Sequence, residues 1–151
     1  MNINPFKIIW KLSILLGLIT SSLVGQNSDN PKIQGFIKID SSWSSTIYLS
    51  YIPTFSDIHS MSNEMIIADS KIDNFGHFTF DLDFLPKEQK IYRLHISKKA
   101  DSKTSLIIGG LNENYFTFIA NRDSKIEFKA ISSNPPFKNL IFKTENENFE
   151  F

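Results

Sequence analysis

The sequence predicts an all-β fold, an antiparallel β-sandwich of about eight short strands that follows an N-terminal signal peptide. Three observations predict it. Apolar residues recur at every second position in short runs, which is typical of strands with one buried face. Turn-forming residues separate these runs at intervals of roughly 8–15 residues. No long helical pattern lies between the runs, so a parallel βαβ architecture is disfavoured.

Residues 1–25 are predicted to be a signal peptide. Lys7 and Lys11 precede an apolar run, from Leu12 to Val24, that only Ser, Thr and Gly interrupt. The run is about 13 residues long, which suits the core of a signal peptide and is too short for a helix that crosses a ~30 Å bilayer. Small and polar residues near Gly25 suit cleavage. We therefore expect an exported, periplasmic protein.

The composition restricts the possible functions of the remaining 126 residues, which is the usual size of one domain. The chain has no cysteine, so disulfides, thiolate metal sites, a cysteine nucleophile and a lipid-modified N-terminal cysteine are excluded. The 16 basic and 16 acidic residues balance, and loss of Lys7 and Lys11 would leave a net charge of about −2. Nucleic-acid binding needs clustered basic residues, so we predict no nucleic-acid contact for this segment.

The predicted sandwich domain covers residues 33–131, after a polar leader at 26–32. Period-two alternation predicts strands at 33–39, 47–51, 78–84, 92–96 and 126–130, and further strands are predicted at 65–72 and at the short apolar runs 105–108 and 115–120. One helical turn is predicted at 56–60. The tetrapeptide Asp73-Asn74-Phe75-Gly76 suits a tight turn, so we expect residues 65–84 to form a β-hairpin.

The predicted strand at 92–96 is interpreted as having a solvated outer face, which continues to Ser97. Arg93, His95 and Ser97 alternate there with apolar residues. Residues 132–151 are predicted to be a tail outside the sandwich, because Asn134-Pro135-Pro136 interrupts the strand pattern. We expect this tail to begin a C-terminal region of a longer protein.

Four residues are the candidates for contact with a ligand or partner. Trp43 lies in a serine-rich turn, where an aromatic ring can stack on a sugar or anchor a partner, or can fold back and close the end of the core. Met61, Ser62 and Asn63 form a loop with one adaptable apolar group and two hydrogen-bonding groups. The alternative for this loop is an ordinary turn before a strand.

No motif predicts catalysis, a metal or a cofactor. A nucleophile elbow, a phosphate-binding P-loop and a zinc-protease motif are all missing from the sequence. Asp81 and Asp83 share one face of a strand, but a Ca²⁺ ion needs 6–8 oxygen ligands, and a solvated face explains the pair better. Asp57 and His59 could belong to a small hydrolase, although no nucleophile lies beside them. We therefore predict that the chain is not an enzyme.

Several stretches together resemble one family of exported bacterial proteins. They are residues 47–53 (IYLSYIP), 61–68 (MSNEMIIA), 92–99 (YRLHISKK), 105–110 (SLIIGG) and 118–121 (FIAN). These stretches are similar to the N-terminal extracytoplasmic region of single-span regulators of Gram-negative bacteria that carry a cytoplasmic LuxR-type helix-turn-helix domain. The resemblance covers nearly all of residues 33–130 and brings no catalytic residues with it.

The resemblance implies a role for the chain. Neither the membrane helix nor the helix-turn-helix occurs within the 151 residues, so the chain would correspond to the sensor end of such a regulator. The expected function is a non-catalytic sensory or interaction module that binds an unknown periplasmic ligand or protein partner. It would meet the membrane only through the missing C-terminal part. The alternative is a secreted or surface carbohydrate-binding module that uses Trp43, with Tyr48 as a second candidate for stacking on a sugar.

Overall fold

The computed structural model describes residues 30, 32–109, 113–130, 136–137 and 139–144. The predicted signal peptide and most of the leader lie outside the described residues. Among the residues that are described, no helix has the length and apolarity required to cross a membrane.

Two four-stranded sheets form the described part of the chain, and this confirms the predicted all-β sandwich. The strands are β1 (Lys32–Ile37), β2 (Trp43–Ile52), β3 (Ile66–Lys71), β4 (His77–Asp81), β5 (Lys90–Lys98), β6 (Tyr115–Ala120), β7 (Lys125–Ala130) and β8 (Leu140–Thr144). Sheet A has the order β4-β1-β7-β8, and sheet B has the order β3-β2-β5-β6.

The core lies between the inner faces of the two sheets. Alternate residues of each strand point inward, and the buried set is aliphatic and aromatic. Ile33 and Ile37 of β1 belong to one apolar cluster with Leu49 and Leu94 of sheet B. Phe128 of β7 also belongs to this cluster. Burial of this apolar surface stabilises the fold in a chain that has no cysteine for disulfides.

One strand pair in the sandwich is parallel. β1 pairs with β7 in parallel register, from Lys32 opposite Lys125 to Ile37 opposite Ala130, whereas all other described pairs are antiparallel. Parallel neighbours need a long connection, and here the chain forms all four strands of sheet B and also β4 of sheet A between β1 and β7.

The predicted β-hairpin at residues 65–84 is wrong. β3 pairs with β2 in sheet B, whereas β4 pairs with β1 in sheet A. The turn between them forms as predicted, with the N–H of Gly76 donating to the carbonyl of Asp73 at 3.0 Å. It joins the two sheets instead of two neighbours in one sheet, because alternation marks a buried face but does not identify the partner strand.

Several other predicted elements also differ from the observed ones. Trp43 begins β2, so the serine-rich turn is shorter than expected. Residues 105–108 form an irregular segment and not a strand. Leu140–Thr144 pairs with β7 as β8, so the sandwich extends beyond residue 131 into the predicted tail. The predicted helical turn at 56–60 is confirmed as a 3₁₀ turn at Phe55–His59.

Candidate functional site

Two rows of side chains cross the outer face of sheet A. The cross-strand register aligns outward residues of β1, β4 and β7 in each row. The amide row consists of Gln34, Thr79 and Glu127, and the aromatic row consists of Phe36, His77 and Lys129. Between them, the register aligns Gly35 with Phe78 and Phe128, whose side chains are buried. The strip between the rows therefore presents backbone to the solvent.

This strip forms an open groove with a cavity volume of about 790 Å³, which we call the outer groove. Both rows line it, and it continues over the edge of sheet A to Ser70, Lys71 and Asp73. Its volume lies within the range of about 300–1,000 Å³ that is typical of ligand pockets. The outer groove is therefore large enough for a small ligand.

Phe36 is a partly exposed aromatic side chain of the outer groove. Its ring meets the His77 ring edge-on, with the centroids 5.6 Å apart and the planes at 62°. A Cβ atom added at Gly76 would lie 3.1 Å from Phe36 Cε2, so the Phe36 ring also packs against Gly76. These two contacts hold the ring while it stays partly exposed.

Asp73 orders the end of the aromatic row. Its Oδ1 accepts the backbone N–H groups of Phe75 and His77, both at 2.8 Å, and its Oδ2 lies 3.6 Å from His77 Nδ1. The hydrogen bond from the backbone of His77 is the main cause that holds the pKa of Asp73 below its usual value. Asp73 therefore stays charged and holds His77 in place beside Phe36.

The charges that line the outer groove balance. Lys71 and Lys129 carry positive charge, and Asp73 and Glu127 carry negative charge. Lys71 Nζ donates to Thr46 Oγ1 of the neighbouring strand β2 at 2.7 Å, so this ammonium group already has a partner within sheet B. The electrostatic character of the groove is polar without an excess of either sign.

Trp43 does not lie on the surface. It is 1 % exposed and belongs to the apolar core cluster, and Lys98 Nζ lies 5.7 Å from the centre of its ring. This placement agrees with the interpretation that Trp43 closes the end of the core. A sugar cannot stack on a ring buried in this way.

Met61, Ser62 and Asn63 lie over the outer face of sheet B, away from the outer groove. Met61 Sδ accepts a hydrogen bond from Arg93 Nη1 at 3.0 Å and lies 3.8 Å from Ser50 Oγ. Ser62 precedes a 3₁₀ turn that begins at Asn63, and of the three only Asn63 is exposed. Met61 therefore covers the sheet, and only Asn63 is presented freely to a partner.

The solvated outer face predicted for β5 is wrong. Arg93, His95 and Ser97 are all buried, because the segments 53–65 and 99–109 fold over sheet B. Arg93 Nη2 donates to the carbonyls of Asp57 at 2.9 Å and Ile58 at 2.7 Å, and Nη1 donates to Ser60 at 2.9 Å. The hydrogen bonds of this one guanidinium group hold the 3₁₀ turn at Phe55–His59 against sheet B.

His95 lies beneath the segment 99–109 and is held neutral there. Its Nε2 lies 2.7 Å from the carbonyl oxygen of Lys103, and its ring stacks on Tyr48 with centroids 5.1 Å apart. Burial lowers the pKa of His95 to about 4. Its geometry is that of a packed structural group and not of an accessible acid or base.

The other acidic candidates do not converge on a catalytic or metal site. Asp57 Oδ2 accepts from the backbone N–H of Thr54 at 3.2 Å and from its hydroxyl at 2.7 Å, which caps the 3₁₀ turn. His59 Nδ1 instead lies 2.9 Å from the Tyr115 hydroxyl. Asp81 and Asp83 are exposed. Within the described ranges, no three His, Cys, Asp or Glu side chains are grouped so that they could hold a metal.

A smaller cavity of about 300 Å³ lies near the other end of β3. Tyr51, Ile67, Phe84 and Tyr92 line it together with Leu85, Pro86 and Lys90. Because its walls are almost wholly apolar, it offers few of the polar contacts that give a ligand orientation. We therefore take the outer groove as the candidate functional site.

The residues of the outer groove were not among the predicted contact residues. Alternation does indicate that Gln34, Phe36, Thr79 and Glu127 point away from the core. It does not indicate that β1 lies between β4 and β7, and this arrangement brings the side chains into rows.

No protein-family model, curated protein or solved structure matches the chain.

Proposed function

We propose that the chain is an exported, non-catalytic binding module that recognises a ligand or a protein partner through the outer groove. The groove is the observation that carries this proposal. It is open, it has the volume of a ligand site, and side chains of three neighbouring strands line it in two rows of different chemistry. Such a surface can select a partner by shape and hydrogen bonding.

We further propose that this module acts in the periplasm as the sensory part of a membrane-anchored regulator with a LuxR-type helix-turn-helix domain. The pattern of residues 1–25 supports export, and the resemblance of residues 33–130 supports the regulator. The alternative, a carbohydrate-binding module, cannot depend on Trp43, because that ring is buried.

Site-specific photo-crosslinking tests the binding role. A photoreactive phenylalanine analogue replaces Thr79 in the outer groove of the full chain, which is expressed in a Gram-negative host. The matched control carries the analogue at Asp101, an exposed residue of the turn after β5. We expect a discrete adduct from Thr79 and none from Asp101. Equal labelling at both positions would exclude the groove as the site, and no adduct from either Thr79 or a further variant at Glu127 would exclude a protein partner there.

Export is tested separately by N-terminal sequencing of the product from the periplasmic fraction. We expect a mature chain that begins close to Gln26. A product that retains Met1 in the cytoplasm would overturn the proposed location.

For the regulator, the informative measurement is the gene sequence beyond codon 151, where an apolar segment of about 20 residues and a helix-turn-helix are expected. A stop codon there would remove the support for the regulator.

A further inference from the structure

We infer that the outer groove binds a sugar ring of an uncharged carbohydrate. This inference deepens the proposed function and rests on it. Its basis is the different chemistry of the two walls of the groove. The aromatic row offers the partly exposed Phe36 ring, and the amide row offers an amide, a hydroxyl and a carboxylate.

A sugar ring matches this pair of walls. One face of a pyranose presents C–H groups, which pack well on an aromatic ring, whereas its edge carries hydroxyls that both donate and accept hydrogen bonds. Phe36 supplies the apolar contact. Gln34, Thr79 and Glu127 are exposed on the opposite wall, where they can meet the hydroxyls.

The dimensions of the groove also suit a ring. The two rows are two residues apart along each strand, a separation of roughly 6.6 Å between Cα positions. The three strands that carry them are spaced by about 4.8 Å, so each wall is roughly 10 Å long. A pyranose ring is thicker than the gap between two such rows, so it would lie across their tops, with part of one face on Phe36 and its edge hydroxyls over the amide row.

The charge of the groove favours an uncharged ligand. Two lysines and two carboxylates balance one another in the lining. Asp73 is already engaged by two backbone N–H groups, and Lys71 donates to Thr46. A strongly anionic or cationic ligand would lack a matching excess of charge.

The free edge beside the groove argues against an extended peptide as the occupant. A peptide that adds to a sheet uses the unpaired N–H and C=O groups of an edge strand. β4 is the edge strand here, but the N–H of Thr79 at its centre donates to Ser70 Oγ at 3.4 Å. The exposed side chains of the two rows, and not the strand edge, therefore define the site.

The experiment is an NMR titration of the ¹⁵N-labelled full chain with soluble neutral oligosaccharides of glucose, xylose and N-acetylglucosamine. An anionic galacturonate oligomer is added as a comparison. We expect at least one neutral oligosaccharide to shift amides of both rows, with little response to the galacturonate. Shifts outside the groove, or a preference for the anionic oligomer, would overturn the inference.

Phe36→Ala is the test variant, and Phe75→Ala is its matched control. Phe75 is 79 % exposed on the adjoining turn and does not line the groove. We expect Phe36→Ala to weaken binding about tenfold or more, with Phe75→Ala unchanged. Because the Phe36 ring also packs on Gly76, Gln34→Ala replaces it if Phe36→Ala does not fold, and a clear loss of affinity is again expected. Unchanged affinity in the folded variant would exclude the site.

Failure of this inference is distinguishable from failure of the proposed function. If no neutral oligosaccharide binds while the crosslinker at Thr79 captures a protein, the sugar is excluded and the binding role of the groove remains. If neither experiment yields a ligand, both proposals are excluded.

Discussion

Gly76 is the residue at which a side chain is least tolerable in the connection between the sheets. Its φ of +94° lies in a region that other residues rarely adopt, and an added Cβ would lie 2.6 Å from the carbonyl oxygen of Ile37. Gly109 also has a positive φ, of +75°, but an added Cβ there meets no atom within 4 Å. At Gly109 a side chain would meet backbone strain alone, whereas at Gly76 it would meet both strain and a steric clash.

We predict that Gly76→Ala lowers the free energy of unfolding by about 3 kcal/mol or more, because strain and the clash with backbone add. Gly109→Ala is expected to cost about 1 kcal/mol from strain alone. Urea denaturation at neutral pH measures both. Equal losses in the two variants would show that the contact with Ile37 relaxes without cost.

His95 makes stability depend on pH. Its pKa is about 4 in the folded chain against 6.5 for an unperturbed histidine. Between pH 4 and pH 6.5 the unfolded state therefore binds a proton that the folded state does not bind. Stability is therefore full above pH 6.5 and falls as the pH falls toward 4. We predict a loss of about 2 kcal/mol between pH 7 and pH 5, measured by urea denaturation at each pH.

His95→Phe should remove most of this slope, whatever its effect on absolute stability. His77→Asn is the matched control, because His77 is an exposed histidine of β4, and this variant should retain the slope. A slope that survives in His95→Phe would assign the pH dependence to other groups.

At the scale of elements, the segment 53–65 depends on one side chain of another strand. Arg93 of β5 donates to three backbone carbonyls of this segment. Lysine carries a single ammonium group and cannot reproduce this forked arrangement of donors. Without it, these part-buried carbonyls lose their charged donor, at a cost of about 1–3 kcal/mol.

We predict that Arg93→Lys destabilises the chain by about 2 kcal/mol and speeds amide hydrogen exchange most strongly at residues 55–61. Arg122→Lys is the control, because Arg122 donates instead to the carbonyl of Leu85. It should leave exchange at 55–61 unchanged. An even increase over the whole chain in Arg93→Lys would mean that the segment does not open as a separate unit.

The strands also show what alternation in the sequence can predict and what it cannot. Alternation predicted most strands of the sandwich, since inward residues such as Ile33 and Leu94 must alternate with outward ones. The same rule failed at Arg93 and His95, which occupy polar positions and are nevertheless buried. Local patterns report the two faces of a strand but not the loops that later cover one of them.

At the scale of the whole molecule, β8 links the two sheets through aromatic contacts. The Phe142 ring lies 5.4 Å from Phe128 of β7 and 6.1 Å from Phe116 of β6, between centroids. Ile141, its neighbour on the opposite face, is 46 % exposed. The strand therefore contributes to the core through only one of these two adjacent side chains.

We predict that Phe142→Ala lowers the free energy of unfolding by about 2 kcal/mol, because it removes a partly buried ring from an aromatic cluster. Ile141→Ala should change it by less than about 0.5 kcal/mol. Thermal and urea denaturation compare the two. Similar small losses would show that the sandwich is complete without β8.

The sequence by itself determined the fold class, most strand positions, the turn at Asp73–Gly76 and the expectation of export, because each depends on residues close together in the chain. Only the tertiary structure decided that β3 and β4 belong to different sheets, that β1 lies beside β7, and that Trp43 is buried. The outer groove follows from the second of these arrangements. Its residues are distant in sequence, and pairing energies between distant strands leave no local pattern from which such a site could be predicted.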